Sequence, residues 1–204
     1  GLGIGLSALV SALMLTVFQS QLVYFLMHGR LWLMIATFAE LALVFVASSM
    51  AAKNSPAALP VFLVYSVLNG FTLSFVVAFY TPGTVLSAFV SSALLFFVMA
   101  AIGIFTKKDL SGMGRALMAA LVGLIIAMVV NLFLENSFFD YMISIAMVLV
   151  FSGLIAWDNQ KIRYVYEQSR GQVATGWVIS MALSIYLDFI NLFLSILRIF
   201  GRND

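Results

Sequence analysis

The chain contains no cysteine and very little charge. Without cysteine in its 204 residues, it has no disulfide framework, no thiol nucleophile and no thiolate metal ligand. His28 is the only histidine, which excludes a metal site built from several imidazoles. Charged residues make up 9% of the chain, whereas a soluble domain carries about 25%. This shortage of charge argues against an ordinary soluble domain.

The rest of the chain is largely apolar, with 64% hydrophobic residues. A soluble fold of this size could not hide so much apolar surface, because small domains leave much of their surface exposed. A helix needs about 20 apolar residues to cross a bilayer. Barrel strands are only about 10 residues long and alternate in polarity, so they do not fit these long runs. We therefore predict an all-α integral membrane protein, a single domain of seven transmembrane helices at residues 2–25, 31–50, 57–80, 84–105, 116–134, 138–164 and 176–200.

The basic residues predict the orientation in the membrane, because Lys and Arg gather in cytoplasmic loops. Alternate loops carry Lys53, Lys107, Lys108, Arg115, Lys161, Arg163 and Arg170, whereas the other loops carry Arg30 alone. This places the N-terminus in the cytoplasm, and we expect a short tail before Gly1. Seven crossings would put Arg198 and Arg202 outside, which leaves a re-entrant last segment open. Such scattered charges do not indicate nucleic-acid binding.

Three carboxylates lie inside the apolar runs, at Glu40, Asp158 and Asp188. An ionisable group in the bilayer costs about 2.5–3.5 kcal/mol on insertion scales, so it tends to face the protein interior or a water-filled cavity. No basic residue lies within two helical turns of Glu40 in the sequence. We therefore expect Glu40 to be protonated, or to face water and bind a passing cation.

Asp158 and Asp188 are equidistant from Val173, which lies in the polar loop between the last two predicted helices. In an antiparallel hairpin, such residues lie at the same depth, so the two aspartates are expected to be level and to face each other if both point inwards. Two close carboxylates in a low dielectric resist ionising together and can share one proton near neutral pH. The pair therefore predicts a proton sensor, and its oxygens suit contact with Ca²⁺. The alternative is that each aspartate is neutralised locally, Asp158 by Lys161 or by a helix terminus.

A polar stripe follows one face of the last predicted helix, because residues three and four apart share a face. Its members are Ser180, Ser184, Asp188, Asn191 and Ser195. One interpretation is a polar path for ions, with Ser184 and Asn191 beside the aspartate. The other is that these side chains only form hydrogen bonds that hold helices together, each worth about 1 kcal/mol or less.

Three segments resemble the Bax inhibitor-1 family. Residues 180–193 read SMALSIYLDFINLF, which is similar to the C-terminal signature of that family. Residues 105–111, FTKKDLS, resemble its loop after the fourth helix, and residues 153–162, GLIAWDNQKI, resemble the end of its sixth helix. The resemblance extends over essentially the whole chain.

The resemblance implies a seven-helix bundle with the last helix in the centre, and a pH-sensitive Ca²⁺ leak across a bacterial cell membrane. It implies that Asp158 and Asp188 are the pH sensor and that Glu40 belongs to the ion path. Ca²⁺ is then the transported ion, and no cofactor is expected. Bacterial relatives can carry a basic residue at the end of the second helix that latches onto the aspartates. Here only Lys53 is available for that role.

Two other functions stay open at this point. Bacterial relatives are also associated with a non-channel role, in which the protein binds a partner such as a membrane quality-control protease; the partner of this chain is unknown. Paired intramembrane aspartates also occur in aspartyl proteases. Those enzymes have Gly-x-Gly before the second aspartate, whereas Ile185, Tyr186 and Leu187 precede Asp188 here. We therefore predict that the protein is not an enzyme.

Overall fold

A computed structural model gives the fold of residues 1–28 and 30–203, with the side chains of 25–34, 37, 41 and 203 outside the described part. The side chain of Arg30, which entered the orientation argument, is among those left out. The described chain is helical: α1 (Leu2–Thr16), α2 (Gln19–His28), α3 (Arg30–Ala52), α4 (Ala58–Val77), α5 (Pro82–Phe105), α6 (Ser111–Leu134), α7 (Ser137–Gln168), α8 (Thr175–Phe200) and a short 3₁₀ turn, Gly201–Asn203.

The first predicted helix, residues 2–25, is wrong as a single element, because α1 ends at Thr16 and α2 begins at Gln19. The Thr16 hydroxyl donates to the Ala12 carbonyl at 2.7 Å, a local bond that often accompanies helix bending. The Phe18 amide then donates to Leu13, five residues back, where a regular helix would use a residue four back. The chain therefore bends after Thr16.

The other six predicted helices agree with α3 to α8, with shifts at their ends. The α5 helix begins at Pro82, whose ring suits the first helical position, after the Thr81 cap. The α6 helix begins at Ser111, five residues earlier than predicted. The Ser111 amide donates to the Asp109 carboxylate at 2.8 Å, and hydrogen bonds from Ser111 lower the pKa of Asp109. A polar sequence that indicated a loop thus forms the first turn of α6.

The described chain forms two compact units. Unit 1 consists of residues 1–80 and 173–186. In it, α1 and α3 both pack against α4. Small residues allow the close approach of α1 and α4, because a Cβ on Gly70 would come within 2.5 Å of the Ser7 carbonyl oxygen. Residue Gly3 faces Phe62 in the same way.

Unit 2 consists of residues 81–172 and 187–204, and in it α5 and α6 both pack against α7. A Cβ on Gly103 of α5 would overlap the backbone of Ala156 on α7. Likewise, Gly114 of α6 lies directly against the Trp157 ring, and it is the buried residue of that helix. The remaining face of α6 is apolar and exposed, which suits contact with lipid.

Five of the described helices are long and apolar enough to cross a membrane, namely α4 to α8. Two further apolar stretches, Leu2–Thr16 and Phe38–Ala52, are shorter. The all-helical membrane class is thus confirmed, and seven crossings stay a prediction. The α8 helix contributes to both units and has buried side chains in each half, such as Leu183 and Leu192. Its place at the centre of a bundle and the single domain also stay predictions.

Candidate functional site

The structure brings Asp158 of α7 and Asp188 of α8 together inside unit 2. Their exposed fractions are only 5% and 6%, and the two carboxylates are close enough to repel each other. The Asp188 Oδ2 atom is buried without a hydrogen-bond partner in the described structure. An unsatisfied buried oxygen is costly, so it marks a place where a proton or a cation would be stabilising. The role of Asp158 and Asp188 as a pH sensor stays a prediction.

Lys161, one turn further along α7, is the residue that could neutralise Asp158 locally. The Lys161 ammonium lies over the Trp157 ring, 5.6 Å from its centroid. This position gives the lysine a cation–π contact within α7.

Other members of the polar stripe on α8 bond within their own helix. The Asn191 amide donates to the Leu187 carbonyl at 2.8 Å, and the Ser195 hydroxyl donates to the Asn191 carbonyl at 2.7 Å. These contacts give Asn191 and Ser195 hydrogen-bond partners within their own helix. Ser184, the other residue predicted to line an ion path, is half-buried in unit 1.

Glu40 is half-buried in unit 1, where α4 supplies polar partners to it. The Thr72 hydroxyl donates to Glu40 Oε1, and the Asn69 side chain lies close to the same carboxylate. The sequence near Glu40 offers no basic partner, and it did not indicate these neutral partners on α4. Neutral hydrogen-bonding groups on a neighbouring helix can stabilise a buried carboxyl group in either protonation state.

A buried polar network continues from Asn69 and was missed in the sequence. The Tyr186 hydroxyl of α8 donates to Asn69 Oδ1 at 2.7 Å, and it also contacts the Ser7 hydroxyl of α1 at 2.7 Å. The Ser7 hydroxyl further donates to the Ser66 carbonyl at 2.6 Å. A usable signal was present, because Ser66, Asn69 and Thr72 recur every three residues on apolar α4.

Gln160, two residues after Asp158, ties the α5–α6 loop to α7. Its Oε1 accepts from the Leu110 amide at 2.8 Å, and its Nε2 donates to the Lys108 carbonyl at 2.7 Å. Arg163, one turn further, donates to the Ile104 carbonyl at the end of α5. Two of the segments that resemble the family therefore meet in space, and their contacts tether the part of α7 that carries Asp158.

Replacing Gln160 with leucine is expected to lower the free energy of unfolding by about 1–3 kcal/mol. The change leaves the Leu110 amide and the Lys108 carbonyl without the partners that Gln160 provides. Unfolding in mixed micelles measures the loss, and faster tryptic cleavage after Lys108 reports release of the loop. Gln168→Leu, at the exposed end of α7, is the matched control and should change stability by less than about 0.5 kcal/mol. Equal stability of both variants would contradict the role of Gln160 in holding the α5–α6 loop against α7.

Lys53 lies exposed at the end of α3 in unit 1. The next residue, Asn54, has a left-handed backbone with φ of 51° and accepts a hydrogen bond from the Gly176 amide at 2.6 Å. Asn54 thereby satisfies one of the free amides at the start of α8. This end of α3 has a structural task that the sequence did not reveal, and the latch assigned to Lys53 stays a prediction.

Long apolar helices and buried intramembrane carboxylates define an all-helical membrane protein. A sequence profile of the family described as inhibitor of apoptosis-promoting Bax1 matches residues 1–204. The chain therefore belongs to the Bax inhibitor-1 family, as the resemblance of its motifs predicted.

Similar proteins occur in several bacteria, and some of them are named as membrane proteins. An uncharacterized membrane protein of Streptococcus pyogenes serotype M1 is 56% identical over 204 residues, which is all of this chain and 89% of the relative. The uncharacterized protein YrjE of Lactococcus lactis is 46% identical over 98% of this chain and 86% of its own length. The inner membrane protein YbhL of Escherichia coli K12 is 40% identical over 87% of this chain and 77% of its own length.

Proposed function

We propose that this protein is a pH-sensitive Ca²⁺ leak channel whose proton sensor is the pair Asp158 and Asp188. The observation that carries the proposal is the burial of these two carboxylates within electrostatic range of each other in unit 2. Two buried charges of one sign repel by a few kcal/mol, on the order of 1–4 kcal/mol at an effective dielectric constant near 20. Conformations of one protein commonly differ by a similar amount, so one proton on the pair can decide which conformation prevails.

The proposed ion path includes Glu40, Ser184 and Asn191, all of which have polar oxygens inside apolar helices. Ca²⁺ prefers carboxylate and carbonyl oxygens and takes six to eight of them. Asp158 and Asp188 offer at most four oxygens between them, so a passing ion would keep part of its water shell there. The proposed location is the bacterial cell membrane, with the N-terminus in the cytoplasm and Lys53 on the cytoplasmic side.

Reconstitution into liposomes that contain a Ca²⁺ indicator tests the proposal. We expect Ca²⁺ entry through the wild type to change several-fold between about pH 6 and about pH 8, the range in which a buried carboxylate pair exchanges its proton. Asp188→Asn removes the titrating group at nearly constant shape, so its flux should vary little with pH. Asp158→Asn removes only the charge that repels Asp188, which stays buried, so the change in flux should remain but move to lower pH.

Asp140→Asn is the matched control, since it makes the same chemical change in the first turn of α7. It should keep the pH dependence of the wild type. If Ca²⁺ entry through Asp188→Asn follows the wild type at every pH, the aspartate pair is not the sensor.

The alternative proposal is a non-channel regulator that binds another membrane protein, such as a quality-control protease. Purification from native membranes distinguishes it from a channel. A partner recovered in a fixed ratio, together with no Ca²⁺ entry after reconstitution at any pH, would favour the regulator.

A further inference from the structure

The polar network in unit 1 is closed off from solvent and has a shortage of hydrogen atoms. Ser7, Ser66, Asn69 and Tyr186 have exposed fractions of 1%, 0%, 9% and 2%. Because these side chains are buried, bulk water is poorly placed to complete their hydrogen bonds. The groups themselves must supply the hydrogens for their mutual contacts.

Four oxygen–oxygen contacts need a hydrogen here. Ser7 Oγ lies 2.6 Å from the Ser66 carbonyl and 2.7 Å from Tyr186 Oη, and Tyr186 Oη lies 2.7 Å from Asn69 Oδ1. The fourth contact joins Ser66 Oγ to the Phe62 carbonyl at 2.9 Å. Each hydroxyl carries one hydrogen, so Ser7, Ser66 and Tyr186 provide three hydrogens for four contacts. One contact is therefore left without a hydrogen when the oxygen of Asn69 faces Tyr186.

Turning the Asn69 amide by half a rotation removes the shortage. The amide nitrogen then faces Tyr186 and donates to it, which supplies the fourth hydrogen. The two ends of an asparagine amide have nearly the same shape, so the turn needs little space. The amide oxygen would then face Glu40, and an oxygen there needs a donor. Glu40 is such a donor only when its carboxyl group carries a proton.

We propose that the orientation of the Asn69 side-chain amide depends on the protonation state of Glu40. With ionised Glu40, the amide nitrogen donates to the carboxylate and Tyr186 donates to the amide oxygen. With protonated Glu40, the carboxyl group donates to the amide oxygen, and the amide nitrogen donates to Tyr186. The Tyr186 hydroxyl then donates to Ser7, and Ser7 donates to the Ser66 carbonyl.

The consequence is that a proton on α3 changes the direction of hydrogen bonds at α1 and α8. Every group keeps its own hydrogens except Glu40, so the exchange needs no proton transfer along the network. Two titratable hydroxyls, those of Tyr65 and Tyr186, lie within electrostatic range of Glu40, and Thr72 is its neutral neighbour. This inference does not depend on Ca²⁺ transport by the protein.

Nuclear magnetic resonance of the full chain in lipid nanodiscs tests the inference. Labelling with ¹⁵N-asparagine and ¹³C-glutamate shows the Asn69 amide and the Glu40 carboxyl carbon, which are assigned by their loss in Asn69→Asp and Glu40→Gln. We expect the Asn69 resonance to move between two positions with the same midpoint pH as the Glu40 carbon. The Asn159 amide, which donates to the Ile155 carbonyl, should stay in place as the internal control.

Two variants distinguish a dependence of Asn69 on Glu40 from a general effect of pH. A glutamine at position 40 has an amide that donates without titrating, so Glu40→Gln should hold the Asn69 resonance at the position of the protonated state at every pH. Tyr186→Phe removes the hydroxyl that needs a hydrogen from the rotated Asn69 amide. The Asn69 resonance should then no longer reach the position of the protonated state. If Glu40 is protonated at every pH tested, the Asn69 resonance of the wild type should match that of Glu40→Gln. If Glu40 is ionised at every pH tested, the two resonances should differ. The proposal would be overturned by an Asn69 resonance that does not change with the charge of Glu40, or by one that still changes with pH in Glu40→Gln.

Discussion

Alanine in place of Gly103 is expected to lower the free energy of unfolding by about 3 kcal/mol, at the upper end of the usual cost of overpacking. Gly103 on α5 lies directly against the backbone of Ala156 on α7, and an added Cβ would overlap the Ala156 carbonyl. A backbone group cannot rotate aside as a flexible side chain can, so α5 and α7 must separate. Ala156 is two residues from Asp158, and the separation should also displace that carboxylate.

Gly123→Ala is the control for this prediction, because it makes the same change in the middle of α6. A Cβ on Gly123 would meet no atom within 4 Å, and alanine favours a helix over glycine by up to about 1 kcal/mol. The control should therefore be as stable as the wild type or slightly more stable. Titration of the purified protein in mixed micelles with denaturing detergent, followed by circular dichroism, measures both variants. Equal stability of Gly103→Ala and Gly123→Ala would show that α5 and α7 do not pack as described.

Removing the Tyr186 side chain is the second change with a large expected effect, a loss of about 3 kcal/mol for Tyr186→Ala. The ring is 2% exposed and packs edge-on against Phe62 and Tyr65, with centroids 5.5 and 5.6 Å away. Alanine leaves a cavity there and also removes the hydrogen bond to Asn69.

Phenylalanine at position 186 separates packing from hydrogen bonding. It keeps the ring and loses only the hydroxyl, so Tyr186→Phe should cost about 1 kcal/mol. Tyr164→Ala, at a ring that is 52% exposed on α7, should cost less than either change. The same detergent titration compares the three variants. A Tyr186→Ala variant no less stable than Tyr164→Ala would contradict the buried position of this ring.

The positions of the helices were predictable where a local signal exists. Long apolar runs marked α3 to α8 because each run must span or fill a lipid environment, whatever its neighbours are. The break after Thr16 was missed because no glycine, proline or charge marks it, although the polar residues 19–21 follow it directly. The early start of α6 was missed because its polar first turn resembled a loop in composition.

The candidate site divides in the same way. The symmetric spacing of Asp158 and Asp188 about Val173 indicated that the two carboxylates lie near each other, because hairpin geometry relates sequence distance to depth. The partners of Glu40 were hidden, because Asn69 and Thr72 are neutral and lie on another helix. Neutral hydrogen-bonding groups leave a weak mark in a sequence, whereas an isolated charge in an apolar run is conspicuous.

The sequence by itself determined the membrane class, the family and the identity of the three intramembrane carboxylates, since each follows from composition or from a contiguous motif. Only the tertiary structure decided which side chains surround those carboxylates. It placed Asp188 Oδ2 in the interior without a hydrogen-bond partner among the described residues, Glu40 beside Asn69, and Gln160 against the α5–α6 loop. The reason is physical: the environment of a buried polar group depends on contacts between residues far apart in the chain, and helix packing selects those contacts.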